Sequence, residues 1–306
     1  MSQESHDRFS GVLAPVITPF TEDLSPDAAL LGKHCRWLVS QGAGLAIFGT
    51  NSEANSLSVK EKRLLLDALC ADGVDPGMMM PGTGACSISD AVELTAHAAS
   101  LGCRGVLMLP PFYYKGVSDD GLFAFFSEVI NRVADARLQV YLYHIPPIAQ
   151  VPINLELIQR LAAEFPNNIA GIKDSSGDWN NTLQLNQLGI EDFRVFCGSE
   201  SLLLRNMQNG GAGCISATAN VNPSPIVELF ERWESADAEK LQLGLDEIRG
   251  IFQSYPMIAA LKSATARYSG EDSWERVRPP LISLGQSERE KLAAELQEAG
   301  FQMPDI

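Results

Sequence analysis

A lysine that closes a short apolar run is a candidate amine nucleophile, and this chain has one in Ile169-Ala170-Gly171-Ile172-Lys173. Side chains alternate along a strand, so Lys173 and Gly171 share one face while Ile172 and Asp174 share the other. If Ile172 packs toward covering helices, Lys173 points into a cavity above a glycine, and Asp174 points away and leaves the amine unclamped. A lysine in a partly dry cavity loses its charge more easily, because desolvation disfavours the ammonium. Bringing it from about 10.4 to near 7 takes roughly 4–5 kcal/mol, within reach of burial. The other reading of the same spacing is a strand-end lysine that reaches solvent.

Two further segments could serve such an amine. Tyr143 ends the run Leu138-Gln139-Val140-Tyr141-Leu142-Tyr143, one strand earlier, where a phenol could relay protons. Its alternative is a packed aromatic, common in strands. Gly49-Thr50-Asn51-Ser52-Glu53 offers a hydroxyl and backbone N–H groups that could cradle a carboxylate without a formal charge. Its alternative is a plain turn built from turn-forming residues. The histidines (6, 34, 97 and 144) form no H-E-x-x-H cluster, and no G-x-S-x-G follows a strand, so metal and triad chemistry have little to stand on. His34 and His97 fall in helical patterns as surface or packing residues.

These segments need a scaffold that sets strand ends side by side. Candidate strands are Val12–Ile17, Leu45–Phe48, Met78–Met80, Gly105–Leu109, Leu138–Tyr143, Ile169–Lys173, Arg194–Cys197 and Cys214–Ala217. Each precedes a helical pattern. Ser58 with Glu61 forms a capping box, Ser87 precedes Asp90, Ser118 precedes two aspartates, and Asn222-Pro223 puts proline at the first helical position. Apolar strands alternating with helices imply a parallel sheet covered on both faces. Eight such units predict an α/β fold, a (β/α)8 TIM barrel over residues 1–235, with a C-terminal helical extension over 236–306 packed on it. An open doubly wound sheet lacks support, since no G-x-G-x-x-G follows the first strand. Gly210-Gly211-Ala212-Gly213 precedes the last strand, on the end of a barrel away from the chemistry, and reads as a helix C-cap and turn.

Composition narrows the partners. Of 306 residues 45% are hydrophobic and 20% charged, a globular balance, and the net charge is -15. That charge repels nucleic acid and anionic lipid, and it requires any anionic substrate to find local positive potential. No apolar run is long enough to span a membrane, and the polar start from Met1 to Ser10, with Glu4, Asp7 and Arg8, does not resemble a signal peptide. Six cysteines without paired spacing fit a reducing cytoplasm.

Taken in order, these segments resemble the dihydrodipicolinate synthase / N-acetylneuraminate lyase family of class I aldolases. Gly171-Ile172-Lys173-Asp174-Ser175-Ser176-Gly177 is similar to the family's Schiff-base lysine segment, and Leu142-Tyr143-His144-Ile145-Pro146 to its Y-N-x-P segment with the proton-relay tyrosine. Gly49-Thr50-Asn51-Ser52-Glu53 resembles the G-[ST]-T-G-E loop that binds the keto-acid carboxylate. Pro111-Phe112-Tyr113-Tyr114 resembles a tyrosine segment that reaches a neighbouring subunit's site; Ile215-Ser216-Ala217-Thr218-Ala219-Asn220 and Gly198 match site-lining positions.

The resemblance implies catalytic roles for Lys173, Tyr143, Thr50 and Tyr113, with Thr50 aiding Tyr113 and Tyr114 as its alternative. It implies substrate contacts from Asn51, Ser52, Gly198, Ile215 and His144, no metal or cofactor, a 2-keto acid substrate such as pyruvate, and a homo-oligomer, dimer or tetramer. Asn51 and Ser52 stand where the family has Thr and Gly, and His144 where it has Asn. Pro146 is followed by Pro147 and Ile148, where dihydrodipicolinate synthases carry an arginine that holds the aldehyde's carboxylate. An apolar group cannot replace that clamp, so the expected activity is dihydrodipicolinate synthase-like without being that reaction. A 2-keto-3-deoxy sugar acid dehydratase or aldolase uses the same intermediate. Rivals from other classes are a metal-dependent or phosphate-binding barrel enzyme and a keto-acid-binding regulatory protein without turnover. Lys262, in Pro256-Met257-Ile258-Ala259-Ala260-Leu261-Lys262, is expected to reach outward from a helix, so that its alanine variant stays active.

Overall fold

The computed structural model describes residues 8–306, so the expected polar character of residues 1–7 lies outside the described part. Among the described residues, seven strands form one parallel sheet: β1 Gly11–Ala14, β2 Gly44–Leu45, β3 Val106–Met108, β4 Val140–His144, β5 Ile169–Asp174, β6 Arg194–Cys197 and β7 Gly213–Ile215. Their order is β2-β1-β7-β6-β5-β4-β3. The expected strand at Met78–Met80 is not one. Pro76–Met78 is a 3-10 turn, and only isolated bridges join Leu45 to Met79 and Gly82 to Leu107.

The reason is local. Pro81 has no N–H to give to a neighbour, so a regular ladder cannot run through it. The segment still fills the eighth position. Met80 N bonds Leu45 O at 2.8 Å, Gly82 N bonds Ile47 O at 2.7 Å, and Leu107 N bonds Pro81 O at 2.9 Å. The edges of the sheet therefore meet across it, and the fold is TIM-barrel-like.

Period-two alternation sorts the strand residues into two cores. Leu13, Ala46, Met80, Leu107, Tyr141, Phe196 and Ile215 pack together inside the ring. Val12, Leu45, Val106, Val140, Ile172, Val195 and Cys214 face the surrounding helices. Tyr141 fills the inner layer between two glycines. A Cβ at Gly105 would stand 2.7 Å from its ring, and one at Gly171 would meet Arg194 O at 2.2 Å.

The helices begin where the capping residues predict. Ser58 and Glu61 form the reciprocal box, Ser87 accepts from Asp90 N, and Ser118 accepts from Gly121 N. After β7, the helix Pro223–Glu231 is followed by Ala238–Gln253, Met257–Ser269 and Gln286–Glu298. Gly210–Ala212 links the helix Leu203–Gln208 to β7, whose first residue is Gly213.

His34 lies 2% exposed in the helix Ala28–Ser40, stacked on Trp37 at 5.5 Å and edge-on to Trp274 at 5.0 Å. Burial pushes its imidazole down to about 3. The nearby Asn220 opposes this, and its amide is engaged by Ile17, Pro15 and Ala217. The native state keeps His34 neutral while the unfolded chain protonates it near pH 6.5, so stability falls as pH drops below that value. The expected loss is about 1.4 kcal/mol per pH unit. Between pH 6.5 and 4.5, urea unfolding of a His34→Phe variant should show a decline smaller by about 2–3 kcal/mol than that of the parent. Equal slopes would assign the acid sensitivity to other groups.

Candidate active site

The register of β4 and β5 sets Tyr143 beside Lys173, with a bulge between Val140 and Tyr141 adjusting the pairing. Lys173 Nζ stands 3.3 Å from Tyr143 Oη and 4.4 Å from the centroid of its ring. Both residues are 3% exposed. Tyr143 Oη lies in turn 3.2 Å from Thr50 Oγ1. Three groups from three segments thus form one chain, hydroxyl to phenol to amine, at the carboxyl end of the strands. These distances are at the long end of hydrogen bonding and within reach of proton transfer.

Asp174 takes the other face, as alternation requires. Its carboxylate accepts from Thr182 Oγ1 at 2.6 Å and Ser176 N at 3.0 Å, which leaves the Lys173 amine with the phenol instead of a carboxylate.

The loop before this chain is a 3-10 turn over Thr50–Ser52. As its first two residues, Thr50 and Asn51 have amides with no acceptor inside the turn. Ser52 is committed inward: its hydroxyl accepts from Gly49 N at 3.1 Å and its carbonyl accepts from Thr18 Oγ1 at 2.7 Å. Ile215 lies within the inner core. Gly198 donates its N–H to Asp174 O at 2.7 Å, and a Cβ there would stand 2.2 Å from Ser175 Oγ.

Two expected members do not join. His144 shares the outward face with Asp174, and its Nδ1 accepts from Ile153 N at 3.0 Å. Burial lowers its pKa, with Asp174 opposing. A one-residue step along β4 turns it from the cavity that Tyr143 faces. Tyr113 is 74% and Tyr114 72% exposed, packed edge-on against each other at 5.3 Å. Within one chain Tyr113 makes no hydrogen bond to Thr50, whose hydroxyl goes to Tyr143.

Sequence reasoning missed two buried polar groups. Glu53 closes the Thr50 loop with a left-handed backbone, φ 56° and ψ 33°, and is 4% exposed. Its carboxylate receives Lys262 Nζ and, at 2.8 Å, Arg278 N. Lys262 is wholly buried, also donates to Arg276 O at 2.6 Å, and is pushed down to about 8 by burial against the pull of Glu53. The expected outward lysine is therefore an inward one. The signal was available: Ile258, Ala259, Ala260, Leu261 and Ala264 make this helix apolar around its circumference, and a buried helix needs a partner for any charge it carries.

The second group is Glu200, 1% exposed, which accepts from the Ser216 and Thr218 hydroxyls and, at 3.2 Å, from Arg249 Nη1. It pins the stretch after β7. Among the described residues, no group of three or more His, Cys, Asp or Glu could hold a metal ion, and no helix is long and apolar enough to cross a membrane.

The model of the dihydrodipicolinate synthetase family matches residues 8–299. An uncharacterized DapA-like lyase of Chloroflexus aurantiacus is 32% identical over 288 residues, covering 93% of this chain and 95% of that protein. The crystal structure of dihydrodipicolinate synthase from Agrobacterium tumefaciens superposes with a TM-score of 0.87 at 32% identity, over 94% of this chain and 99% of that one. YagE, a prophage protein of Escherichia coli K12 of the dihydrodipicolinic acid synthase family, solved in complex with pyruvate, superposes with a TM-score of 0.86 at 26% identity, over 96% and 99%.

Proposed function

The chain belongs to the dihydrodipicolinate synthetase family, and from that premise we propose that it is a lysine Schiff-base aldolase or lyase acting on pyruvate or a related 2-keto acid. The observation that carries the reading is the Thr50–Tyr143–Lys173 chain. The amine of Lys173 attacks the C2 carbonyl, and Tyr143 relays the proton that the nitrogen sheds to the carbonyl oxygen. A second proton, drawn from solvent through Tyr143, goes to the hydroxyl, which leaves as water as its bond to C2 breaks, and an iminium remains. Thr50, with its own amide and that of Asn51, holds the carboxylate. The iminium draws electrons from C3, so loss of a C3 proton gives an enamine for aldol addition, and retro-aldol cleavage of a larger keto acid yields the same enamine. A 2-keto-3-deoxy sugar acid would be dehydrated through the same intermediate.

The wider reading has residues 1–235 as the barrel and 236–306 as a helical extension packed on it. It has the protein as a cytoplasmic homo-oligomer, dimer or tetramer, in keeping with six unpaired cysteines and with Tyr113 and Tyr114 left exposed in one chain. Within such an assembly Tyr113 or Tyr114 would extend a neighbouring site's relay.

Borohydride reduction in the presence of pyruvate, followed by intact-mass and peptide analysis, tests the chemistry. The expected result is a pyruvate-derived adduct on Lys173. Folded protein that forms no adduct with pyruvate or with a 2-keto-3-deoxy sugar acid would overturn the assignment.

A further inference from the structure

A cleft of about 430 Å³ opens at the barrel mouth, and Thr50 is one of its walls. Most of the rest is hydrocarbon, from Leu109, Phe112, Ile145, Ile148, Ile258 and Leu281, with Asn55 and Ser56 as the neutral polar residues beside Thr50. No lysine or arginine is among its lining residues. Lys115 Nζ is engaged elsewhere, donating to the carbonyls of Phe112 and, at 2.7 Å, Ala149. The one carboxylate in the wall, Glu53, is neutralised by Lys262 and held by Arg278 N. Ile148, one of the lining residues, has 61% of its surface exposed.

Such a wall fits one kind of co-substrate. A second carboxylate or phosphate would be desolvated there with no cationic partner, and a chain of hydroxyls would find only Thr50, Asn55 and Ser56 in place of water. An alkyl or aryl group would lose only water it binds poorly.

We propose that the cleft takes the carbonyl partner of the reaction and selects an apolar aldehyde, alkyl or aromatic, over one that carries a second anion or several hydroxyls. The inference rests on the Schiff-base reading given above. In the addition direction, C3 of the enamine forms a bond to the aldehyde carbon, the aldehyde oxygen takes a proton, and water hydrolyses the iminium. A 4-hydroxy-2-keto acid with an apolar tail leaves, and Lys173 is regenerated. No oxidant or reductant takes part.

The test runs pyruvate with benzaldehyde, butanal, glyceraldehyde and succinic semialdehyde, with borohydride trapping of pyruvate measured in parallel. Benzaldehyde or butanal should exceed the other two by about 100-fold in kcat/KM, the scale on which an apolar pocket discriminates. An Ile148→Arg variant, altered at an exposed position, should still trap pyruvate on Lys173. It should gain about 10-fold or more on succinic semialdehyde while losing on benzaldehyde. If the adduct forms but glyceraldehyde or succinic semialdehyde is preferred, the inference falls and the Schiff-base reading stands. If the adduct forms and all four aldehydes react equally, the cleft is filled by something else, such as a second copy of the chain, and the inference falls. Absence of the adduct removes both.

Discussion

A Lys173→Ala variant is expected to fold normally, to trap no pyruvate on borohydride reduction, and to lose turnover by on the order of 10⁴–10⁶-fold. The fold should survive because Lys173 gives its amine to a phenol and not to a carboxylate, so its removal strands no buried charge. Tyr143→Phe separates the two roles. The amine remains, so the adduct still forms, but proton transfer to the carbinolamine loses its relay and the rate should fall about 10²–10⁴-fold. Peptide mapping after reduction, with circular dichroism as the check on folding, distinguishes the outcomes. An adduct in Lys173→Ala on any other lysine would move the nucleophile elsewhere.

The second large effect concerns stability. Lys262→Met should leave the Glu53 carboxylate buried with only Arg278 N as partner, at a cost of about 3–5 kcal/mol in urea unfolding. The double variant Lys262→Met with Glu53→Gln removes both charges and should recover at least half of that loss. A single-variant cost below about 1 kcal/mol would mean that water reaches the carboxylate. The expectation from sequence that Lys262 reaches outward is reversed by its burial.

The contrast between these lysines marks how far the sequence could be read. Lys173 was legible because its neighbours are close in chain order: alternation along one strand sets its face, and Gly171 beneath it is forced by the approach of Arg194 O. Arg194–Cys197 was found with its observed bounds for the same reason. The third strand failed because hydrophobicity does not register that Pro81 lacks a donor. Tyr143 and His144 looked equally close to the chemistry, and only the pleat tells them apart. The partner of Lys262 was illegible in a different way, since no local pattern points from a helix to a loop far upstream.

That separation has a consequence for synthesis. Glu53 and Lys262 are 209 positions apart, so the loop carrying Thr50 emerges from the ribosome long before its anchor does. Glu53 sits in a backbone region that costs a non-glycine residue about 1–2 kcal/mol, and the bonds made earlier, from Gly49 and Thr18 to Ser52, leave its buried carboxylate without a cation. The strands can pair as they appear, but the carboxylate-binding turn reaches its working shape only in the last stage of translation. Ribosome-stalled chains exposing residues up to about 250 should therefore fail to trap pyruvate on Lys173, and chains exposed past 278 should succeed. An adduct in the shorter chains would mean that the turn holds itself.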